Sequence, residues 1–212
     1  MDQHMIKLNE IKIEKATKAL ESNNYNVKVV DTLLDAKAYV QSLLVDHKKV
    51  ALGGSMTLEA MNIVEMCRNS DIDFIDRYNP SLTDEERYET LRSGLLSDLF
   101  ITSSNAISLD GNLYNIDGTG NRVAAMIFGP KEVLVVVGVN KLFETEDEAI
   151  AHIQNVSAPA NAIRLNRKTP CAKTGKCMHC QSIDRICRSY VKLEAQKTKR
   201  ITVLIVKEIL GY

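Results

Sequence analysis

The chain carries no surplus charge: in 212 residues, 27 Lys and Arg stand against 27 Asp and Glu. Glycine and proline are sparse as well, ten and four, which excludes collagen-like, low-complexity and disordered compositions. Long apolar runs are missing, since 133–139 supplies only about a third of the roughly 20 residues a membrane-crossing helix needs. No transmembrane segment is expected. The opening Met1-Asp2-Gln3-His4 leads into no apolar stretch followed by a small-residue cleavage site, so the expected location is the cytoplasm. There is no spread of cysteines for a disulfide framework, and at this length a 45% hydrophobic chain needs no such staple.

What is present is a regular alternation. Ile6, Leu8, Ile11, Ala16, Ala19 and Leu20 recur at helical spacing over 6–22. A short β-branched run at 27–30 follows, then a helical pattern over 32–46, a strand at 50–52 and a further helix through Met66. Thr83-Asp84-Glu85-Glu86 is a capping-box start for a helix reaching about Ser97. Beyond it, the runs 99–109, 113–116, 123–128 and 133–139 read as strands, although Ala124-Ala125-Met126 also suits a helix. Helix over 144–154, a loop with one helical turn through the cysteines and a strand at 201–206 complete the reading. The alternation predicts one α/β domain over 1–212, with an open, mostly parallel central sheet, flanking helices and a cysteine-rich C-terminal loop.

Three segments carry candidate chemistry. The junction Gly53-Gly54-Ser55-Met56-Thr57 joins a strand to a helix, and its glycines, hydroxyls and unpaired N–H groups suit a phosphate or carboxylate. The alternative is a tight turn capped by Ser55. No Lys follows the glycines, so this is not a Walker loop, and the dinucleotide fingerprint is absent. The second segment spans 105–122 and offers Asn105, Gly118, Gly120, Asn121 and Arg122 as ligand-binding residues, with Asp110 or Asp117 as general base. Here the alternative is ordinary hairpin chemistry. The third is Cys171-x5-Cys177-x2-Cys180-x6-Cys187, four soft ligands with a chelating Cys-x2-Cys bite, suited to zinc or an iron–sulfur cluster. Reduced thiols or a redox disulfide pair would use the same residues. Around them, 164–200 holds eleven Lys and Arg and two acids, so this stretch is a basic, candidate metal-binding segment.

The string Leu52-Gly53-Gly54-Ser55-Met56-Thr57-Leu58, the stretch 98–107, Asp110-Gly111-Asn112-Leu113, Gly118-Thr119-Gly120-Asn121-Arg122-Val123-Ala124 and Gly129-Pro130-Lys131 together resemble the LUD domain family associated with lactate utilisation. That resemblance implies a fold similar to ribose-5-phosphate isomerases and CoA transferases. It makes Gly53, Gly54, Ser55 and Thr57 the anion loop and 105–122 the facing wall of a cleft. Stand-alone members often share such a cysteine-rich tail, which favours a bound metal.

The expected function is binding of a small anionic metabolite, a hydroxy-acid, acyl or phosphorylated compound, beside a four-cysteine centre. An iron–sulfur centre would make the protein an oxidoreductase component with a redox partner protein; zinc would leave isomerase-like or acyl-transfer chemistry. A homo-oligomer is compatible with the sequence. The competing reading is a nucleic-acid or protein-docking module built on the basic tail. Against nucleic acid stand the pI near 6.9 and a single aromatic, Tyr190, in that tail.

Overall fold

The computed structural model describes residues 2–212. In chain order these form α1 (Gln3–Ser22), β1 (Asn26–Val30), α2 (Leu33–Asp46), β2 (Lys49–Leu52), α3 (Met56–Ala60), α4 (Ile63–Arg68), β3 (Asp73–Ile75), α5 (Asp84–Ser93) and β4 (Leu99–Thr102). There follow β5 (Ala106–Ser108), β6 (Leu113–Asp117), α6 (Asn121–Ile127), β7 (Glu132–Gly138), β8 (Leu142–Phe143), α7 (Glu146–His152), α8 (Ala158–Arg164), α9 (Pro170–Thr174), β9 (Ser189–Leu193) and β10 (Ile201–Val206). The α/β expectation is met by a six-stranded, all-parallel sheet of order β1-β10-β7-β4-β2-β3.

Strand periodicity explains why this sheet is buried on both faces. Along β7, Val133, Val135 and Val137 pack with Ile201, Val203 and Ile205 of β10 and with Ile13, Ala16 and Leu20 of α1. The intervening Leu134 and Val136 join Leu204 and Val206 against Ala36, Val40 and Leu44 of α2. Two-sided burial is what requires near-continuous Val, Ile and Leu in a parallel strand. The N-terminal turns of α1 stand clear of this core, and Ile6, Leu8 and Ile11 are exposed.

Antiparallel pairing is confined to a second sheet, β8-β5-β6-β9. The apolar run 99–109 therefore divides between sheets, with the buried polar residues Ser103, Ser104 and Asn105 at the crossing. The Asp110-Gly111 turn joins β5 to β6 as its sequence suggests. Gly111 has φ +84°, and a Cβ there would lie 2.7 Å from the backbone of Ala19. Asn23 donates to the carbonyls of Asp110 and Gly111, docking the hairpin on the end of α1.

Local signals are met in other places too. Thr83 and Glu86 form the reciprocal capping box of α5. Residues 121–127 take the helical alternative. The cysteine segment holds its expected helical turn as α9 and departs from the expected loop in β9, which pairs antiparallel with β6 from Asp117–Ser189 to Leu113–Leu193. No helix among the described residues is long and apolar enough to cross a membrane.

Candidate functional site

The loops that leave the C-terminal ends of β2, β4 and β6 converge on a cleft of about 760 Å³, the place where parallel α/β sheets commonly hold ligands. Gly54 and Ser55 from the first loop, Ser103 to Asn105 from the second, and Asp117 and Gly118 from the third line it. Asn121 and Arg122 at the start of α6 continue the wall.

Gly53 is the residue in the first loop that must lack a side chain. Its N–H donates to Ile101 O at 2.9 Å, and a Cβ would fall on the Thr102 hydroxyl and 2.9 Å from Thr102 Cβ. Gly54 is freer: an added Cβ would point into the cleft with its closest neighbour, Arg77, 3.9 Å away. Ser55 adopts the capping role, its Oγ accepting from the N–H groups of Thr57 at 3.1 Å and Leu58 at 3.5 Å. Thr57 turns inward, fully buried, and its hydroxyl donates to Leu210 O. The loop hydroxyls are thus engaged by the protein itself, and the positive character of the cleft comes from side chains.

Arg122 organises the facing wall. Its Nε donates to Asp117 at 3.2 Å, Nη1 to Ser103 O at 3.3 Å, and Nη2 to Asn105 Oδ1 at 2.9 Å and to Ile116 O. Burial pulls the guanidinium below its ordinary pKa, and the Asp117 carboxylate opposes that pull. Asp117 also accepts from Gly120 N–H at 3.1 Å, where the left-handed Gly120, φ +90°, begins α6.

Lys141 forms the floor. A 3₁₀ turn over Val139–Lys141, after β7, directs it inward, and the residue is 3% exposed. Its Nζ lies 3.0 Å from Ser103 Oγ, 3.1 Å from Thr57 Oγ1 and 3.2 Å from Ser104 O. No carboxylate pairs with it among the described residues, and burial, with Arg122 adding repulsion, draws its amine down to about 7.

The fourth wall comes from the basic segment. Arg164 at the end of α8, Arg167, Arg185 and Arg188 face the cleft. β9 holds them there: Arg188 N–H donates to Asp117 O at 3.0 Å beside the β6–β9 ladder, and Ile186 O packs against Gly118. The cysteine-bearing segment and the glycine loop therefore border one cavity.

Of the residues expected from sequence, the cleft brings together Gly54, Ser55, Asn105, Asp117, Gly118, Asn121 and Arg122. Gly53 and Thr57 support it from behind, and Gly120 shapes the turn into α6. Asp110 lies outside the lining, in the hairpin turn, bonded to Ser108 and to Asn112 at 3.0 Å. Lys141 and Arg77 are functional candidates with no signature in the sequence: each is a lone cation in an unremarkable setting, and only the fold assembles them with Arg164 and the other arginines of the basic segment.

Cys171 Sγ lies 3.3 Å from the Thr169 hydroxyl, and Cys177 Sγ accepts from His179 N–H at 3.4 Å. Burial, with Cys177 and Cys180 close by, raises the Cys187 thiol above its ordinary pKa. The donor chemistry suits a soft metal ion. The positions do not make a ligand shell, because among the described residues no group of three or more His, Cys, Asp or Glu side chains is arranged to hold a metal. Binding an ion would require 171–187 to close around it.

The sequence matches the LUD domain family over residues 13–206. Among solved structures, the chain is similar to a DUF162 family protein from Deinococcus radiodurans, with 12% identity and a TM-score of 0.54, covering 93% of this chain and 98% of that one. That likeness concerns the fold. No curated protein matches the sequence.

Proposed function

This chain belongs to the LUD domain family, and from that premise we propose that its cleft binds a small anionic metabolite, a hydroxy-acid, acyl or phosphorylated compound in lactate-utilisation-like chemistry. One observation carries the reading. Arg68, Arg122 and Arg167 are paired with carboxylates, whereas Arg77, Arg164, Arg185 and Arg188 line the same cleft with no carboxylate partner among the described residues. Unpaired cations around a concave site concentrate an anion and fix its orientation. The distribution also favours a small ligand over nucleic acid, since these groups face inward.

Gly54→Leu tests the site, because the added side chain has room in the fold and would occupy the cleft beside Arg77. Titration calorimetry with pyrophosphate is expected to give an affinity at least about tenfold weaker in the variant, a difference of about 1.4 kcal/mol. Undiminished binding overturns the assignment.

The proposal includes a metal centre at Cys171, Cys177, Cys180 and Cys187. Metal and acid-labile sulfide analysis of protein purified without oxygen is expected to return stoichiometric iron with sulfide, or one zinc per chain. Iron makes the protein an oxidoreductase component and directs attention to a redox partner; zinc makes the segment a structural clasp. Metal-free protein with all four thiols open to a thiol reagent removes the centre.

A further inference from the structure

We propose that Lys141 is a nucleophile that forms an imine with the carbonyl carbon of an anionic aldehyde or ketone bound in the cleft. The inference rests on the anion-binding reading and adds to it a reactive atom and a functional group.

Three features of the geometry lead to it. First, the amine is buried yet borders the cleft, and the groups that face it are neutral or cationic: the hydroxyls of Thr57 and Ser103, Ser104 O, Arg122 and His152. A lysine kept to hold structure would ordinarily be given a carboxylate, whereas this environment favours the uncharged amine that attacks carbonyls. Its lowered pKa of about 7 agrees with that setting.

Second, the turn that carries Lys141 is pinned. Asn140 accepts from Leu210 N–H at 3.0 Å and donates to Gly211 O at 3.2 Å, while a Cβ on Gly138 would strike the 208–210 segment. The nucleophile is held in place before any ligand arrives, which avoids an ordering cost during reaction.

Third, the two hydroxyls at 3.0 and 3.1 Å are placed to move protons. Nζ adds to the carbonyl carbon, forming the C–N bond as the C=O π bond opens. A proton from nitrogen reaches the new alkoxide through Ser103 or Thr57. The carbinolamine then loses its hydroxyl as water, with a second nitrogen proton supplying the leaving group, and the C=N bond forms. One amine and one carbonyl give one imine and one water, with no change of oxidation state. The arginines hold the carboxylate or phosphate of the same molecule.

The test uses the intact protein, pyruvate as a carboxylate-anchored probe and glyceraldehyde 3-phosphate as a phosphate-anchored one, with borohydride reduction at pH 7 and peptide mass spectrometry. An ordinary lysine is mostly protonated at that pH, so Lys141 is expected to be labelled more than about tenfold above any other lysine. Pyrophosphate should suppress the labelling, and Lys141→Arg should abolish it. The probe that reacts identifies the anion class. No preferential adduct at Lys141 with either probe, while pyrophosphate still binds by calorimetry, overturns the nucleophile and leaves the anion site standing. Labelling at Lys141 that pyrophosphate does not reduce supports the nucleophile and removes the anion site from this cleft.

Discussion

Arg122→Met is expected to cost about 3–5 kcal/mol of folding stability, the range for stranding one member of a buried ion pair. The side chains of Arg122 and Asp117 are 11% and 10% exposed, and the guanidinium also serves two backbone carbonyls and Asn105 Oδ1. Methionine fills similar volume but donates nothing, leaving a carboxylate in the cleft wall with Gly120 N–H as its remaining partner. Urea denaturation measures the loss, and Asp117→Asn in the same chain should restore part of it, because the stranded charge is then gone. A loss below about 1 kcal/mol would place the pair among solvated surface bridges and contradict its described role.

Lys141→Met should do the opposite and stabilise the protein. In the unfolded chain this lysine holds its proton to about pH 10.4; in the folded chain it releases it near 7. Between those values the unfolded state binds more protons, so wild-type stability rises with pH across that window and carries its full penalty below it. The variant should lose this slope and exceed the wild type near pH 7 by up to about 4 kcal/mol. His152, whose pKa is lowered by burial and by Lys141, titrates below the window and is separated by working above pH 7. Parallel profiles for the two proteins would show that the lysine carries no such penalty. A more stable variant would mark Lys141 as a side chain kept at a cost to the fold.

Local order was legible in the residues. The capping box at Thr83, the Asp-Gly hairpin and the alternating apolar pattern depend on neighbours a few positions apart, and each stands where the pattern put it. Pairings between distant segments were not. Residues 99–109 read as one run, yet Ser103-Ser104-Asn105 divides it between two sheets, since the Ser104 and Asn105 side chains bond to the backbone of β6 where a continuous strand would extend its own ladder. β9 was hidden because its Ser-Tyr-Val-Lys-Leu alternation is half exposed and sits among basic loop residues. The site followed the same rule. Arg122 and Asn105 belong to a recognisable string and Arg164 to a basic segment, whereas Arg77 and Lys141 lie far apart in the chain and have no mutual spacing to notice.

The position of β10 between β1 and β7 has a consequence for how the protein is made. Asn26 pairs with Thr202, so β1 waits for a strand synthesised about 170 residues later, roughly 10–30 s at ordinary ribosomal speeds. Until then the sheet can assemble only as β7-β4-β2-β3, with the apolar β7 as an open edge. Unpaired apolar edges recruit other chains. Nascent protein should therefore pass through an aggregation-prone interval that closes when 201–206 emerges and inserts, and full-length chains refolding in dilute solution, where both halves are present from the start, avoid it.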